Sequence, residues 1–180
     1  MKIVVIGRTE ILFKTMEKAI REGHKVVGII TCKEAPEYKI TREDYEFFAE
    51  KNKIPFLSTP KLDTENALRF LRELENPDIS LSMNFSGIIP DKVTNMFPLG
   101  ILNAHGGDLP KYRGNACQAW AIINGEDRVG LCIHRMIGGE LDSGDIISRS
   151  YFHLNIDTRI GEFHDWWDTE VPELFLAAVR

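Results

Sequence analysis

The opening of the chain constrains its fold more than any other stretch. KIVVI (residues 2–6) is a β-branched run that stops at Gly7. A segment over 10–22 follows, with apolar Ile11, Leu12, Met16, Ala19 and Ile20; Gly23 ends it, and KVVGIIT (25–31) repeats the first run. A continuous apolar run bounded by glycine fits a strand buried on both faces, and a stripe at helical spacing fits a helix lying on a sheet. Strand, helix, strand at this length is a βαβ unit with a right-handed crossover.

The alternation continues. Residues 33–41, with Pro36 and little periodicity, read as a loop. Thr41 with Asp44 three residues on marks a helix start, giving a helix over 42–52. IPFL (54–57) is a short strand, Asp63 or Thr64 caps a helix through about 75, and DISLSM (78–83) is another strand. Residues 90–97 give one short helix with Pro90 at its tolerated first turn, and ILNAH (101–105) is a strand. A helix over 115–124, two strands near 129–136 and 145–153 forming a hairpin around GGELDSG, and a last helix from 159 onward complete the reading. The chain shows no repeat, low-complexity segment or interdomain linker.

Its 180 residues favour one domain with a core that needs neither disulfides nor metal. With 22 basic and 27 acidic residues the net charge is −5, against a surface that wraps nucleic acid; a small anion held by a few local positive groups remains open. Cys32, Cys117 and Cys132 are odd in number and lack CxxC spacing, so buried thiols of a reducing cytoplasm are expected rather than a zinc site. The four-residue apolar run after Lys2 is too short for a signal peptide, and nothing approaches the ~20 residues of a membrane span, so a cytoplasmic protein is expected.

Several candidate motifs fall short. The first βα turn, Gly7-Arg8-Thr9-Glu10, is neither a dinucleotide fingerprint nor a phosphate loop. Arg8 and Thr9 there either assist an anion at the helix start or merely cap the turn. No GxSxG elbow is present. Cys117 follows His105 by twelve residues and reads better as a buried small residue than as a nucleophile. His164 and Asp168 stand at i, i+4, but two ligands without a third make a poor metal site.

LNAHGGDLPKYRG (102–114) is different. On a strand, Asn103 and His105 project to one face, at the carboxyl edge where ligands of open α/β sheets bind. An amide donor stabilises an oxyanion and an imidazole moves protons near neutrality, and the adjoining glycines are expected to leave room for a substrate. Asp142, in the tight GGELDSG loop, is placed to orient that imidazole or relay its proton.

Asn103-Ala-His105, LPKYRG (109–114), WAIINGE (120–126) and GGELDSGDII (138–147), in that order, resemble the folate-dependent formyltransferase family, which includes glycinamide ribonucleotide, methionyl-tRNA and nucleotide-sugar N-formyltransferases. The resemblance runs from residue 1 to about 150. It implies a doubly wound α/β domain, a mainly parallel twisted sheet with helices on both faces and an antiparallel C-terminal part. It implies a single catalytic domain over 1–180. Family members usually continue past the last helix, which would leave part of the acceptor site outside these residues.

The co-substrate implied is N10-formyl-tetrahydrofolate, with no metal. Asn103 would bind the developing oxyanion, His105 would act as acid–base group, and Asp142 would orient it together with a water. The pterin would lie against Phe85, Ser86, Gly87, Ile88 and Ile89 and the loop Ile137, Gly138, Gly139, Glu140 and Asp142; Arg8, Thr9, Gly106 and Lys111 are candidates for holding the acceptor. The turn GRTEI departs from the glycine-serine-asparagine turn of the purine-pathway members, and the charge of −5 argues against tRNA. The expected acceptor is therefore a nucleotide-linked amino sugar. A formyl-tetrahydrofolate hydrolase, a formyltransferase for another small amine or methionyl-tRNA, and a folate-binding module stand as alternatives. The apolar end VPELFLAAV (171–179) either packs on its own core or pairs two copies as a homodimer.

Overall fold

The two apolar runs of the opening βαβ unit lie side by side near the middle of the sheet. In the computed structural model, which describes residues 1–180, β1 (Lys2–Gly7) pairs in parallel with β2 (Lys25–Thr31), with α1 (Glu10–Arg21) between them in sequence. Both strands are buried nearly throughout, which is why their sequences are continuous rather than alternating. Next come α2 (Arg42–Asn52), β3 (Phe56–Ser58), α3 (Glu65–Glu73), β4 (Ile79–Met83), α4 (Asp91–Thr94) and β5 (Ile101–His105). The chain finishes with α5 (Cys117–Ile123), β6 (Arg128–Arg135), β7 (Ile146–His153) and α6 (Ile160–Val179).

The sheet order is β3-β2-β1-β4-β5-β6-β7. The first five strands are parallel, whereas β6 and β7 run antiparallel as the hairpin read from the sequence. The winding reverses between β1 and β4, the switch point at which doubly wound folds open a crevice.

Local chemistry sets the helix ends. Thr9, Thr41 and Thr64 cap α1, α2 and α3, each hydroxyl accepting from a backbone N–H three residues on. Thr41 and Asp44 form a full capping box. At two boundaries a left-handed residue explains the departure from the sequence reading. Lys53 takes a left-handed conformation and Ile54 N bonds Ala49 O, so residue 54 closes α2 and β3 begins only at Phe56. Ala116 is also left-handed, with φ 56°, so α5 starts at Cys117 rather than 115.

Two apolar clusters sandwich the sheet. One joins residues of α1, α2, α5 and α6, and the other joins α3 and α4. The apolar end of the chain packs on its own core: Val171, Phe175, Leu176 and Val179 are buried in the cluster that holds Leu12 and Met16. No helix is long and apolar enough to cross a membrane.

Candidate active site

β5 delivers Asn103 and His105 to the carboxyl edge of the sheet, and the antiparallel register decides what they meet. Asn103 stands opposite His134 of β6, and His105 opposite Cys132. His134 Nδ1 lies 3.0 Å from the Ser143 carbonyl, which only accepts, so Nδ1 carries the proton and Nε2 is left as an acceptor. Asn103 Nδ2, 3.1 Å away, donates to it. This pairing fixes the amide: nitrogen toward His134, with its second N–H free. Burial drives the His134 imidazole below its ordinary value of 6.5, against the pull of the Ser143 carbonyl and the Asp142 charge, which holds it neutral as the pairing requires.

His105 is buried at the strand end. Its Nε2 lies 2.7 Å from the Tyr112 carbonyl, so this nitrogen donates, and Nδ1 faces Asp142 Oδ1 at 3.4 Å. The His105 and His134 rings meet edge to face with centroids 6.4 Å apart. Asp142 comes from the loop between β6 and β7 with φ 46°, and its Oδ2 accepts from Gly114 N at 2.7 Å. That loop is folded tightly by Gly144: with φ 102°, a Cβ there would stand 1.9 Å from the Arg135 carbonyl.

An amide with one free N–H, an imidazole with one nitrogen tied to a carbonyl, and a carboxylate facing the other nitrogen form an acyl-transfer set. Such an amide can stabilise negative oxygen, and such an imidazole–carboxylate pair can move a proton. Cys117 Sγ lies 3.6 Å from His105 Nε2, yet it also reaches the Gly114 and Tyr112 carbonyls at 3.3 and 3.6 Å. Burial and the Asp142 charge push this thiol up, so it stays neutral and serves as packing rather than as a thiolate nucleophile. All three cysteines are free and buried. No three His, Cys, Asp or Glu side chains converge as a metal site; Asp168 instead pairs with Lys14 at 2.5 Å.

The two segments expected to face the pterin are adjacent. Gly139 N donates to the Ile89 carbonyl at 3.0 Å, and Gly138 abuts Asp91 at the start of α4. Ile88, Ile137 and Leu141 are exposed around this junction, and a groove of about 360 Å³ runs between 60–63 and 86–90. Beside Asp142, the Ser143 hydroxyl is buried without a partner. Exposed apolar side chains beside an unpartnered hydroxyl suit a flat heteroaromatic ring.

Other candidates are placed differently. Thr9 is spent as the α1 cap, while Arg8 donates to the Asn84 carbonyl at 2.9 Å and the Lys33 carbonyl at 2.6 Å. Lys111 is turned to Glu126. Gly106 and Gly107 open no space for substrate, contrary to expectation. A Cβ on Gly106 would strike Gln118 and Trp167, and one on Gly107 would strike the Tyr112 carbonyl and His105 Nε2, so the protein itself fills that room. His134 is the residue the sequence reading missed. Its place eight residues before Asp142, at the end of the strand that enters the loop, is the signal that marks it.

A doubly wound sheet that presents an amide, an imidazole and a carboxylate at its carboxyl edge defines a class of acyl-transfer protein. Residues 1–179 match the formyl transferase family model, and the chain belongs to that family. It is 34% identical over 168 residues to the methionyl-tRNA formyltransferase of Acetivibrio thermocellus, an alignment covering 92% of this chain and 53% of that protein. The chain thus spans about half the length of the curated relatives it matches. Among solved structures, phosphoribosylglycinamide formyltransferase from Anaplasma phagocytophilum shares the fold with a TM-score of 0.77 at 21% identity, covering 98% of this chain and 83% of that one. A sugar 3N-formyl transferase determined in the presence of dTDP and 5-N-formyl-THF does so with a TM-score of 0.70 at 19% identity, covering 99% and 61%.

Proposed function

We propose that residues 1–180 form the catalytic domain of an N-formyltransferase that moves the formyl group of N10-formyl-tetrahydrofolate to the amine of a nucleotide-linked amino sugar. The observation that carries the reading is the fixed amide of Asn103. Its nitrogen is turned to a neutral, buried His134, which leaves one N–H directed by geometry rather than free to flip. As the acceptor amine bonds to the formyl carbon, that N–H donates to the carbonyl oxygen on which negative charge develops. The bond from the formyl carbon to the donor nitrogen then breaks, and the oxygen returns to a carbonyl. The amine must lose a proton and the departing nitrogen must gain one. His105 Nδ1, the ring nitrogen without a carbonyl partner, exchanges that proton, and Asp142 stabilises the charged ring.

The donor's pterin fits the junction of 85–89 with 137–142, where Ile88, Ile137 and Leu141 are exposed and the Ser143 hydroxyl is unpaired. The grip on an anionic acceptor falls to cations near the edge, with Arg8 and Lys111 as first candidates. Methionyl-tRNA is the second reading, supported by the sequence relatives named methionyl-tRNA formyltransferase. The test is a transfer assay following tetrahydrofolate release with amino-sugar nucleotides, with methionyl-tRNA and with neither. Asn103→Ala should lower kcat by about 10²–10³-fold, as loss of an oxyanion donor does, and should leave folate binding within about twofold. His105→Ala should abolish transfer; preserved turnover in that variant overturns the mechanism. Formate release without any amine points to a hydrolase instead.

A further inference from the structure

LPKYRG and WAIINGE lie apart in sequence, and the proton-moving pair described so far touches only main-chain atoms of the first. The carbonyl of Tyr112 accepts from His105 Nε2 at 2.7 Å, and the N–H of Gly114, two residues on, donates to Asp142 Oδ2 at 2.7 Å. One three-residue segment therefore holds both members of the proton-moving pair. Arg113 is exposed and Gly114 has no side chain, so within this segment only Tyr112 offers a side-chain anchor.

That anchor is the phenol. Tyr112 Oη donates to Glu126 Oε1 at 2.7 Å and accepts from Asn124 Nδ2 at 3.1 Å, while Lys111 caps the same Glu126 oxygen. Glu126 and Asn124 belong to the turn that closes α5, itself tied by Glu126 N to the Ala121 carbonyl. The side chain of Tyr112 is thus bolted to the far end of α5 while its carbonyl holds the imidazole.

We propose that Tyr112 is a positioning residue for His105. The Tyr112–Glu126 clamp fixes the carbonyl at which the imidazole donates, and so sets the proton on Nε2 and turns Nδ1 to Asp142. A ring that donates from Nε2 has only Nδ1 available for the chemistry. Loosening the clamp frees the carbonyl, and the ring populates the other tautomer or turns away from Asp142. The kinetic part of the proposal rests on the formyl-transfer reading; the tautomer part does not.

The experiment is ¹⁵N NMR of the histidine rings in the full chain, with His105 assigned by the signal lost in His105→Gln, alongside steady-state kinetics. Tyr112→Phe and Glu126→Leu should shift the His105 ring from the single Nε2–H pattern to a mixture. Both should lower kcat by about tenfold, the scale of one lost hydrogen bond, with KM for the folate within about twofold. Glu126→Gln keeps an oxygen for the phenol and should restore both the ring pattern and kcat. An unchanged His105 pattern in a folded Tyr112→Phe protein overturns the proposal, as does a Glu126→Gln variant as impaired as Glu126→Leu. The ring spectrum needs no turnover, so failure of the clamp and failure of the formyl-transfer reading give different results.

Discussion

His134 shows how one buried polar side chain sets the chemistry of its neighbour. Its tautomer follows from the Ser143 carbonyl, and the orientation of the Asn103 amide follows from the tautomer. A proton added at Nε2 would put donor against donor and force the amide to turn. The same pairing makes stability depend on pH. In the unfolded chain His134 titrates near the ordinary 6.5, whereas the fold holds it lower by burial. Below about 6.5 the unfolded state therefore binds more protons than the folded one, and stability rises with pH. The contribution is complete above about pH 6.5 and is lost as pH falls through that value and the lowered folded one. His24 is also held low, by partial burial first and the nearby N-terminal amine second, so the measurement must be a difference. Urea midpoints of the native protein should fall as pH drops below about 6.5, and His134→Leu should flatten that slope. An identical slope in the variant assigns the pH dependence elsewhere.

At the scale of elements, the order of strands and helices was legible because each signal is local. β1 and β2 announce their burial by unbroken β-branched runs, and Thr41 with Asp44 writes its own capping box. At the end of α2 and the start of α5 the shift came from a backbone state that composition does not reveal: left-handed Lys53 and Ala116 are not glycines. The loop between β6 and β7 was legible as a loop, and Asp142 within it as a candidate. The Asn103–His134 contact was not, because it depends on antiparallel register between two residues 31 apart in sequence. The geometry of that loop separates its glycines. Gly139 has φ 78° with open space around its missing Cβ, so Gly139→Ala meets backbone strain alone and should cost about 1 kcal/mol. Gly144→Ala adds a clash with the Arg135 carbonyl to φ 102°, and should cost at least about 2 kcal/mol and displace Asp142. Denaturant unfolding of the two variants ranks them; equal losses would mean that the loop yields without moving its neighbours.

For the whole molecule, the residues that transfer a group and those that choose its acceptor differ in legibility for a physical reason. The transfer set needs a few side chains at fixed short distances, and motif spacing records those. Under the proposed function, acceptor choice would reside in distributed charge and shape, for which Arg8, held by the Asn84 and Lys33 carbonyls, is a candidate. Charge nevertheless separates the two proposed acceptors. With a net charge of −5, residues 1–180 lack the excess of cations needed to displace many counterions from a phosphate backbone. Transfer to a nucleotide sugar engages one or two phosphates, so its kcat/KM should change by less than about tenfold between 50 and 200 mM salt. A tRNA acceptor making 6–10 phosphate contacts would lose roughly 10³–10⁵-fold in affinity over the same range. The expected result is a shallow salt dependence with an amino-sugar nucleotide and no saturable tRNA binding in a mobility-shift titration at physiological salt. Tight, steeply salt-dependent tRNA binding by this unit alone would reverse the assignment, placing the basic contacts locally on the edge of the sheet around Lys111 and Arg113 despite the acidic total.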